Sequence, residues 1–512
     1  MPADGADPGD VTTELKVLAP DAAGLPDPPA PMPRMEFTLA PEDLPDLLRL
    51  PGLARTGRAS RVDLSWHDTP DSALAGQNLA LCHDSGPGGA WRLERLHPAP
   101  ELHWPAGTPA FLVQQCPGPV GFDLILPQPL APVAAFRGRK HRFHGDDGLT
   151  VTVLEGHLRG AATISPACRV RLEGPPAAIV ARVTTIAGVL RLHVPRASLA
   201  AEAVAAAQGT GPPPRSTALP LIQPDQPLTD TVAQVIGGLL DALLHWSATA
   251  GDGDGPVPVH QMRVATRRLR SALSIFRGGA AWPESGPLGR ALRDTAAHLG
   301  AARDWDVFLA GTGAQAAASF PDEPRMAALM ASSRRKRAAA YVALRLYLNG
   351  PAFRTLAAGL ACTAAMRPWE GCDPAQDHLL HTGTEAFAAA VLSRRLRKVR
   401  RDGHGLRHLP VPALHKLRKD CKRLRYAAEF FQPLFPDKPA RRFIRHLAAL
   451  QEALGLLNDG AAAAGLMAQL GRTGEGYAAG LVNGYAAASA SAFRADVRSA
   501  WRGFRTAAPF WA

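Results

Sequence analysis

One twelve-residue segment of this chain occurs twice. Val259-His-Gln-Met-Arg-Val-Ala-Thr-Arg-Arg-Leu-Arg270 lines up with Leu414-His-Lys-Leu-Arg-Lys-Asp-Cys-Lys-Arg-Leu-Arg425 at a shift of 155 positions. His260 falls on His415, Arg263 on Arg418, Arg267 on Lys422, Arg268 on Arg423 and Arg270 on Arg425. The same shift lays Leu299-Gly-Ala-Ala-Arg-Asp304 on Leu454-Gly-Leu-Leu-Asn-Asp459. Two segments that share one shift mark a duplication. Whatever the C-terminal half folds into must therefore be two similar halves.

The spacing within the repeat is helical. At about 100° per residue, with His260 at zero, Arg263, Arg267 and Arg270 fall between about 280° and 340°, and Arg268 sits apart near about 80°. Met262, Ala265, Leu269 and Leu273 fall on the opposite side, a stripe that can pack against neighbouring helices. The second copy does the same, with His415, Arg418, Lys422 and Arg425 on one side and Leu414, Leu417, Cys421 and Leu424 elsewhere. Pro258 and Pro412 stand where a helix start tolerates proline. Like charges three and four residues apart repel by a few tenths of a kcal/mol per pair, and Val259–Arg270 contains no acid. A bound polyanion removes that penalty. Guanidinium forks take phosphate oxygens bidentately, lysine adds a point charge, and histidine donates to phosphate near neutral pH. The bland reading, a solvated basic face, fits one copy better than two copies led by the same histidine. Arg334-Arg-Lys-Arg337 and Arg394-Arg-Leu-Arg-Lys-Val-Arg-Arg401 offer an extension of that surface, although each alone is expected to be a solvated face rather than a site. Asp304 and Asp459 are expected to be structural, beside Arg303 and at a helix end, in preference to acid catalysts.

The formal net charge of +12 and pI of about 9.9 favour an acidic partner without choosing one. The six cysteines, Cys82, Cys116, Cys168, Cys362, Cys372 and Cys421, include no C-x-x-C pair, which argues against a zinc site and a disulfide scaffold. The start, MPADGADPGD, lacks the basic and apolar regions of a secretory signal. The best apolar run, Ala177 to Val194, is interrupted by Arg182 and Arg191, so no membrane span is expected. These features predict a cytoplasmic protein.

Along the chain, 1–33 reads as a mobile tail rich in Asp, Pro and Ala. Residues 34–205 show short apolar segments broken by Gly and Pro. Leu149–Leu154 and Ala177–Val183 among them fit strands or mixed structure. A linker is expected over 206–222, centred on Gly209–Thr217. From 223 to 512, apolar residues recur at spacings of three and four between breaks near 251–258, 278–289, 349–351, 402–412 and 432–439, which predicts an all-helical domain. The fold class is thus α+β in two domains.

The segments VHQMRVATRRLR, LGAARDWDVF, LHKLRKDCKRLRY and LQEALGLLND, in that order, resemble the CHAD domain, the conserved histidine alpha-helical domain. The resemblance covers about 223–512. It implies two pseudo-symmetric helical bundles whose basic faces line a channel for inorganic polyphosphate, and in bacteria an association with polyphosphate granules. By motif position the polyphosphate-binding residues would be His260, Arg263, Arg267, Arg268, Arg270, His415, Arg418, Lys419, Lys422, Arg423 and Arg425. No cofactor is implied.

Residues 34–205 resemble a CYTH domain, the triphosphate tunnel fold, through Met35–Leu44, Trp66–Leu74 and Leu79-Ala-Leu81, with Trp91-Arg-Leu93 and Phe136-Arg-Gly-Arg139 as weaker pieces. That family is an eight-stranded antiparallel barrel whose glutamates hold Mg²⁺ or Mn²⁺ for hydrolysis. Here its Glu-x-Glu-x-Lys start reads Arg34-Met-Glu36-Phe-Thr38, and Thr12-Thr-Glu14-Leu-Lys16 fits no better. Cys82, His83 and Asp84 replace its Arg-x-Arg, and Arg169 and Arg171 stand at positions of paired glutamates. Arginine cannot ligate a cation, so no metal site and no catalytic residue is expected. Arg137, Arg139, Lys140 and Arg142 read as a solvated basic loop. Two alternatives remain: a metal-dependent inorganic triphosphatase, and a nucleic-acid-binding module. Against the second, single-strand binders interleave aromatics with cations, whereas the repeats hold none, Tyr426 standing only at an edge. The sequence leaves the oligomeric state open.

Overall fold

A computed structural model of the protein describes residues 33–511, apart from 53, 56–57, 87–88, 90, 97–113, 117–128, 146, 213, 219–221, 254, 373 and 493. The tail expected over 1–33 lies outside the described residues save for Pro33, as does Glu14.

The N-terminal part builds one sheet. Its strands are β1 (Arg34–Leu39), β2 (Ala54–Arg55), β3 (Ser60–Asp68), β4 (Leu79–Asp84), β5 (Trp91–Arg95), β6 (Gln114–Cys116), β7 (Ala131–His144), β8 (Thr150–Arg159), β9 (Ile164–Glu173) and β10 (Leu192–His193). Four helices accompany them: α1 (Leu44–Leu47), α2 (Ala73–Gly76), α3 (Pro176–Val189) and α4 (Leu199–Ala207). The order is β10-β1-β9-β8-β7-β3-β4-β5-β6, with β2 on β7, and the pairs are antiparallel. Alternation along each strand sorts its two faces. Met35, Phe37, Val151, Val153, Val170 and Leu172 face the core shared with α3. Val62, Trp66, Phe136 and Leu158 face α4, which lays Leu199, Ala203 and Val204 on them.

Three expectations are corrected here. The sheet is open among the described residues, not a closed eight-stranded barrel: it ends in the short β10 and β6, which do not pair with each other, and α4 covers the face that a tunnel would enclose. Ala177–Val183 is part of helix α3, not a strand. Pro176 supplies a ready helix start, and the buried Ile179, Val183, Ile186 and Ala187 recur at helical spacing within a run too uniformly apolar to show it. Arg137, Arg139, Lys140 and Arg142 lie in strand β7, not a loop, with Arg137 Nε 3.3 Å from Asp63 Oδ2.

The C-terminal part is helical: α5 (Leu228–Asp252), α6 (Pro256–Phe276), α7 (Ser285–Ala310), α8 (Thr312–Ser319), α9 (Pro324–Leu348), α10 (Pro351–Met366), α11 (Pro374–Leu380), α12 (Thr384–Asp402), α13 (Val411–Phe431), α14 (Asp437–Ala468), α15 (Arg472–Glu475), α16 (Tyr477–Ala492) and α17 (Arg494–Thr506). The five Gly/Pro breaks read from the sequence each fall between helices. The shift of 155 carries both ends of α6, Pro256 and Phe276, onto both ends of α13, Val411 and Phe431. In the first half α6 packs between α5 and α7, in the second α13 packs between α12 and α14, and α6 and α13 meet. The sheet joins this body through α3, which packs on α10. Among the described residues, no helix is long and apolar enough to cross a membrane.

Candidate polyanion site

Burial follows the helical wheel. On α6, Met262 and Leu269 are inaccessible to solvent, and Ala265 and Leu273 nearly so; on α13, Leu417, Cys421 and Leu424 are inaccessible. Packing these stripes fixes the rotation of each helix and leaves His260, Arg263, Arg267, His415, Arg418, Lys422 and Arg425 half-buried where the helices meet. The helices run in opposite directions. The Arg267 guanidinium lies 5.9 Å from the centre of the Tyr426 ring, while Ser274, further along α6, shares a cleft with Arg423, further back on α13.

Several cations are tied down by acids that neither basic stripe contains. Arg263 Nη1 donates to Asp304 Oδ1 of α7 at 3.2 Å. Glu429 accepts from Arg425 Nε at 2.7 Å and from Arg268 Nη2 at 3.5 Å, clamping one arginine of each helix. The first stripe is therefore less bare than its own segment suggests. Asp304 lies within α7 and pairs with Arg263; the side chain of Asp459 lies outside the described residues.

Other cations keep their charge available. Arg267 and Arg418 each bury an Nε–H that has no hydrogen-bond partner among the described residues, a costly state for a polar group. Lys422 falls from the ordinary 10.5 to about 8, first through burial and then through Arg418, Arg267, Arg263 and Arg425 around it. Burial, with Arg303, Arg267 and Arg263, also holds His260 below the usual imidazole range. Burial lowers Arg267, and Arg418 from the other helix adds to it. Arg270 is lowered by burial and by Arg293 and Arg423. Arg270 and Arg423 thus lie beyond the centre of the crossing, and Lys419 is exposed on α13. Arg293 and Arg303 escape the sequence reading because the shift pairs them with Ala448 and Asn458, so neither carries a repeat signal.

The repeated Leu-Gly segment has a packing role. A Cβ on Gly300 would sit 3.2 Å from Arg263 Nη1, and one on Gly455 would sit 3.6 Å from Arg418 Nη2. At matching places in the two halves, a glycine of α7 or α14 lets a stripe arginine lie close against the helix. Of the basic run on α9, Arg337 is committed, donating to the buried Asp306 at 2.6 Å.

Among the described residues, the N-terminal sheet offers no comparable site. Glu36 is buried on the α4 face, with Arg171 Nε donating to its Oε2 at 2.5 Å and Arg169 Nε 3.8 Å from its Oε1. Arg169 also pairs with Glu202 of α4, and the Leu199 N–H donates to Glu36 Oε1 at 3.2 Å. Burial pushes the Glu36 carboxyl up, but Arg171 and Arg169 outweigh it and hold it below the usual range. Two guanidiniums occupy the carboxylate that a divalent metal would need, so these residues do not fit one. Among the described residues, no group of three or more His, Cys, Asp or Glu side chains is placed to hold a metal.

Comparison with known proteins bears on the helical part. Residues 234–468 match the model of the CHAD domain family. A crystal structure of the CHAD domain from the plant Ricinus communis aligns at a TM-score of 0.50 and 27% identity, covering 58% of this chain and 98% of that one. PptA from Streptomyces chartreusis aligns at a TM-score of 0.43 and 16% identity, covering 54% of this chain and 100% of that one. Uncharacterized proteins from two strains of Mycobacterium tuberculosis are each 29% identical over 212 residues, 40% of this chain and 39% of theirs. The chain thus spans about two fifths of the length of the curated relatives it matches.

Proposed function

We propose that the CHAD domain of this chain binds inorganic polyphosphate along the paired stripes of α6 and α13. The observation that carries this reading is the crossing itself: Arg267 and Arg418, whose Nε–H groups have no hydrogen-bond partner among the described residues, converge from two helices on Lys422, whose charge burial and its neighbours disfavour. A linear polyanion answers each of these features. It supplies acceptors to the terminal guanidinium N–H groups, offsets the mutual repulsion, and releases condensed counterions as it binds. His260, Arg263, Arg267, Arg268 and Arg270, with His415, Arg418, Lys419, Lys422, Arg423 and Arg425, are the residues assigned to it. Arg268 and Arg425 would reach phosphate from their clamp on Glu429. On this reading the protein resides in the cytoplasm on polyphosphate granules. A nucleic acid fits less well, because Arg267 covers the Tyr426 ring at the crossing and bases would need an open face on which to stack.

The N-terminal sheet is taken as a degenerate CYTH-like unit without hydrolytic activity, since Glu36 is committed to Arg169 and Arg171. One set of measurements on the full chain tests both parts. Labelled long-chain polyphosphate is titrated by fluorescence anisotropy, with RNA as competitor at matched charge and salt. A charge-assisted contact contributes about 1.5–3 kcal/mol. Replacing Arg263, Arg267, Arg418 and Lys422 together by Ala should therefore weaken binding by about a hundredfold or more. Retained affinity would place the site elsewhere, and efficient displacement by RNA would favour a nucleic-acid module. Phosphate release from tripolyphosphate with Mn²⁺ or Mg²⁺ would restore the triphosphatase alternative.

A further inference from the structure

The two halves of the helical domain differ at one place where the duplication should make them alike. Exchanging the halves at the shift of 155 turns Arg268 into Arg423, Arg425 into Arg270, and Glu429 into Ser274. In one arrangement Glu429 clamps Arg268 and Arg425. In its mate, Arg423 and Arg270 face each other's charge with a serine where the clamp should be.

The surroundings diverge in the same sense. Arg394, Arg395, Arg397, Lys398 and Arg401 of α12 correspond to Leu239, Leu240, Ala242, Leu243 and Trp246 of α5. The first four of those α5 residues are buried, α10 packs on α5, and α10 in turn carries α3 of the sheet domain. Among the described residues α12 has no counterpart of α10 packed on it, and Arg394, Arg397 and Arg401 are exposed. There α12, α13 and Ser274 enclose a half-open cleft of about 680 Å³. Six cations line it: five from α12 and Arg423. One acid, Asp420, lines it with them. Asp420 is already engaged, accepting from Lys398 Nζ at 2.6 Å and from Arg423 Nη1 at 3.1 Å. Arg395 is held in place through Nη1, which donates to the Arg423 carbonyl at 2.6 Å. Burial, with Arg394 and Arg423 nearby, brings its guanidinium down to about 10. A solvated basic face needs no pocket. Here the charges converge on a partly open cleft, and Glu429, which pairs with the equivalent arginines in the other half, is replaced by Ser274, leaving Asp420 to pair with Arg423.

We propose that the α12–α13 cleft at Ser274 is a second phosphate site, present in one half only, that takes a short run of adjacent phosphates. The ligand is an oligophosphate of tripolyphosphate size, either free or as part of a longer chain. Guanidiniums on two helices suit several closely spaced dianionic or monoanionic phosphates better than a single carboxylate. The site does not depend on the α6/α13 crossing for its ligands, Arg423 apart.

Calorimetric titration of the full-length protein with tripolyphosphate and, separately, with long-chain polyphosphate tests this. Ser274→Glu installs the acid that Glu429 provides in the other half, at an exposed position that leaves the core untouched. It should lower tripolyphosphate affinity at least tenfold, and Arg394→Ala with Arg397→Ala should do the same. Arg263→Ala with Lys422→Ala should leave tripolyphosphate affinity within twofold while weakening the long chain. If long chains bind and tripolyphosphate ignores both cleft variants, the cleft proposal is wrong and the crossing stands. If tripolyphosphate binds through the cleft but long chains do not respond to the crossing variants, the crossing reading fails and the cleft stands. A Ser274→Glu effect on long chains alone, with none on tripolyphosphate, also overturns the proposal. Loss of affinity for both lengths supports the site with a segment of a longer chain among its occupants, and loss for tripolyphosphate alone supports it with the free oligophosphate as the occupant.

Discussion

Lys422 concentrates the energetics of the site in one side chain. Its ordinary value of 10.5 in the unfolded chain drops to about 8 in the fold, because burial and then Arg418, Arg267, Arg263 and Arg425 disfavour the ammonium. The sign of the linkage follows. Between pH 8 and 10.5 the unfolded state holds the proton more tightly, so the stability of the free protein rises with pH across that window, and the penalty is present in full below it. Lys422→Met should therefore raise Tm at pH 7 and lose that advantage by pH 10.5, as differential scanning fluorimetry would record. Binding carries the opposite demand. A polyanion restores the ammonium, so polyphosphate affinity should fall as pH rises above about 8, with proton uptake on binding. Lys422→Arg, which matches the residue of the other half, should flatten that dependence. If the wild-type pH profile from 7 to 9.5 is already flat, Lys422 is not in contact with the ligand.

The two helices divide between what a sequence can reveal and what it cannot. Their rotation was legible because period and chemistry agree: apolar residues at helical spacing bury, and the cations opposite them do not. The glycine of Leu299-Gly300 and Leu454-Gly455 was legible as a repeat, but its reason required the guanidinium resting on it. The partners Asp304 and Glu429 were not legible, because they come from outside the basic stripes and only the crossing brings them near. Helix α3 was missed for the opposite reason, since a uniformly apolar run carries no period to read. An element-level prediction follows from the crossing. If both stripes contact the polymer, Arg263→Ala with Arg267→Ala on α6, and Arg418→Ala with Lys422→Ala on α13, should each reduce the slope of log affinity against log salt by about 1.4, and the four together by about 2.8, taking about 0.7 per released counterion. Slopes that change for one helix only would reduce the site to a single stripe.

Across the whole molecule, the sheet and the helical body share one core. Residues of β1, β8, β9 and α3 lie in the same buried cluster as those of α6, α10 and α13, and α3 packs on α10. The two-part division was legible in the change of texture near residue 209. The open sheet and the helix laid across it were not, since the alternation along each strand is the same for an open and a closed sheet. The chemistry of Arg169 and Arg171 was half legible: that arginine cannot ligate a cation could be read from the sequence, their grip on Glu36 could not. That grip makes Glu36 structural. Removing it leaves Arg171 and part of Arg169 as buried charge without its acid, and breaking such a pair costs about 3–5 kcal/mol. Because its carboxyl is held below the usual 4.5, this contribution is present above that pH and is lost as pH falls through the lower folded value. The shared core then decides how the damage spreads. Glu36→Ala should lower the melting temperature of the entire chain in a single calorimetric transition, with the loss narrowing below pH 4. A split into an early sheet transition and an unmoved helical one would mean that the α3–α10 contact does not couple the two parts.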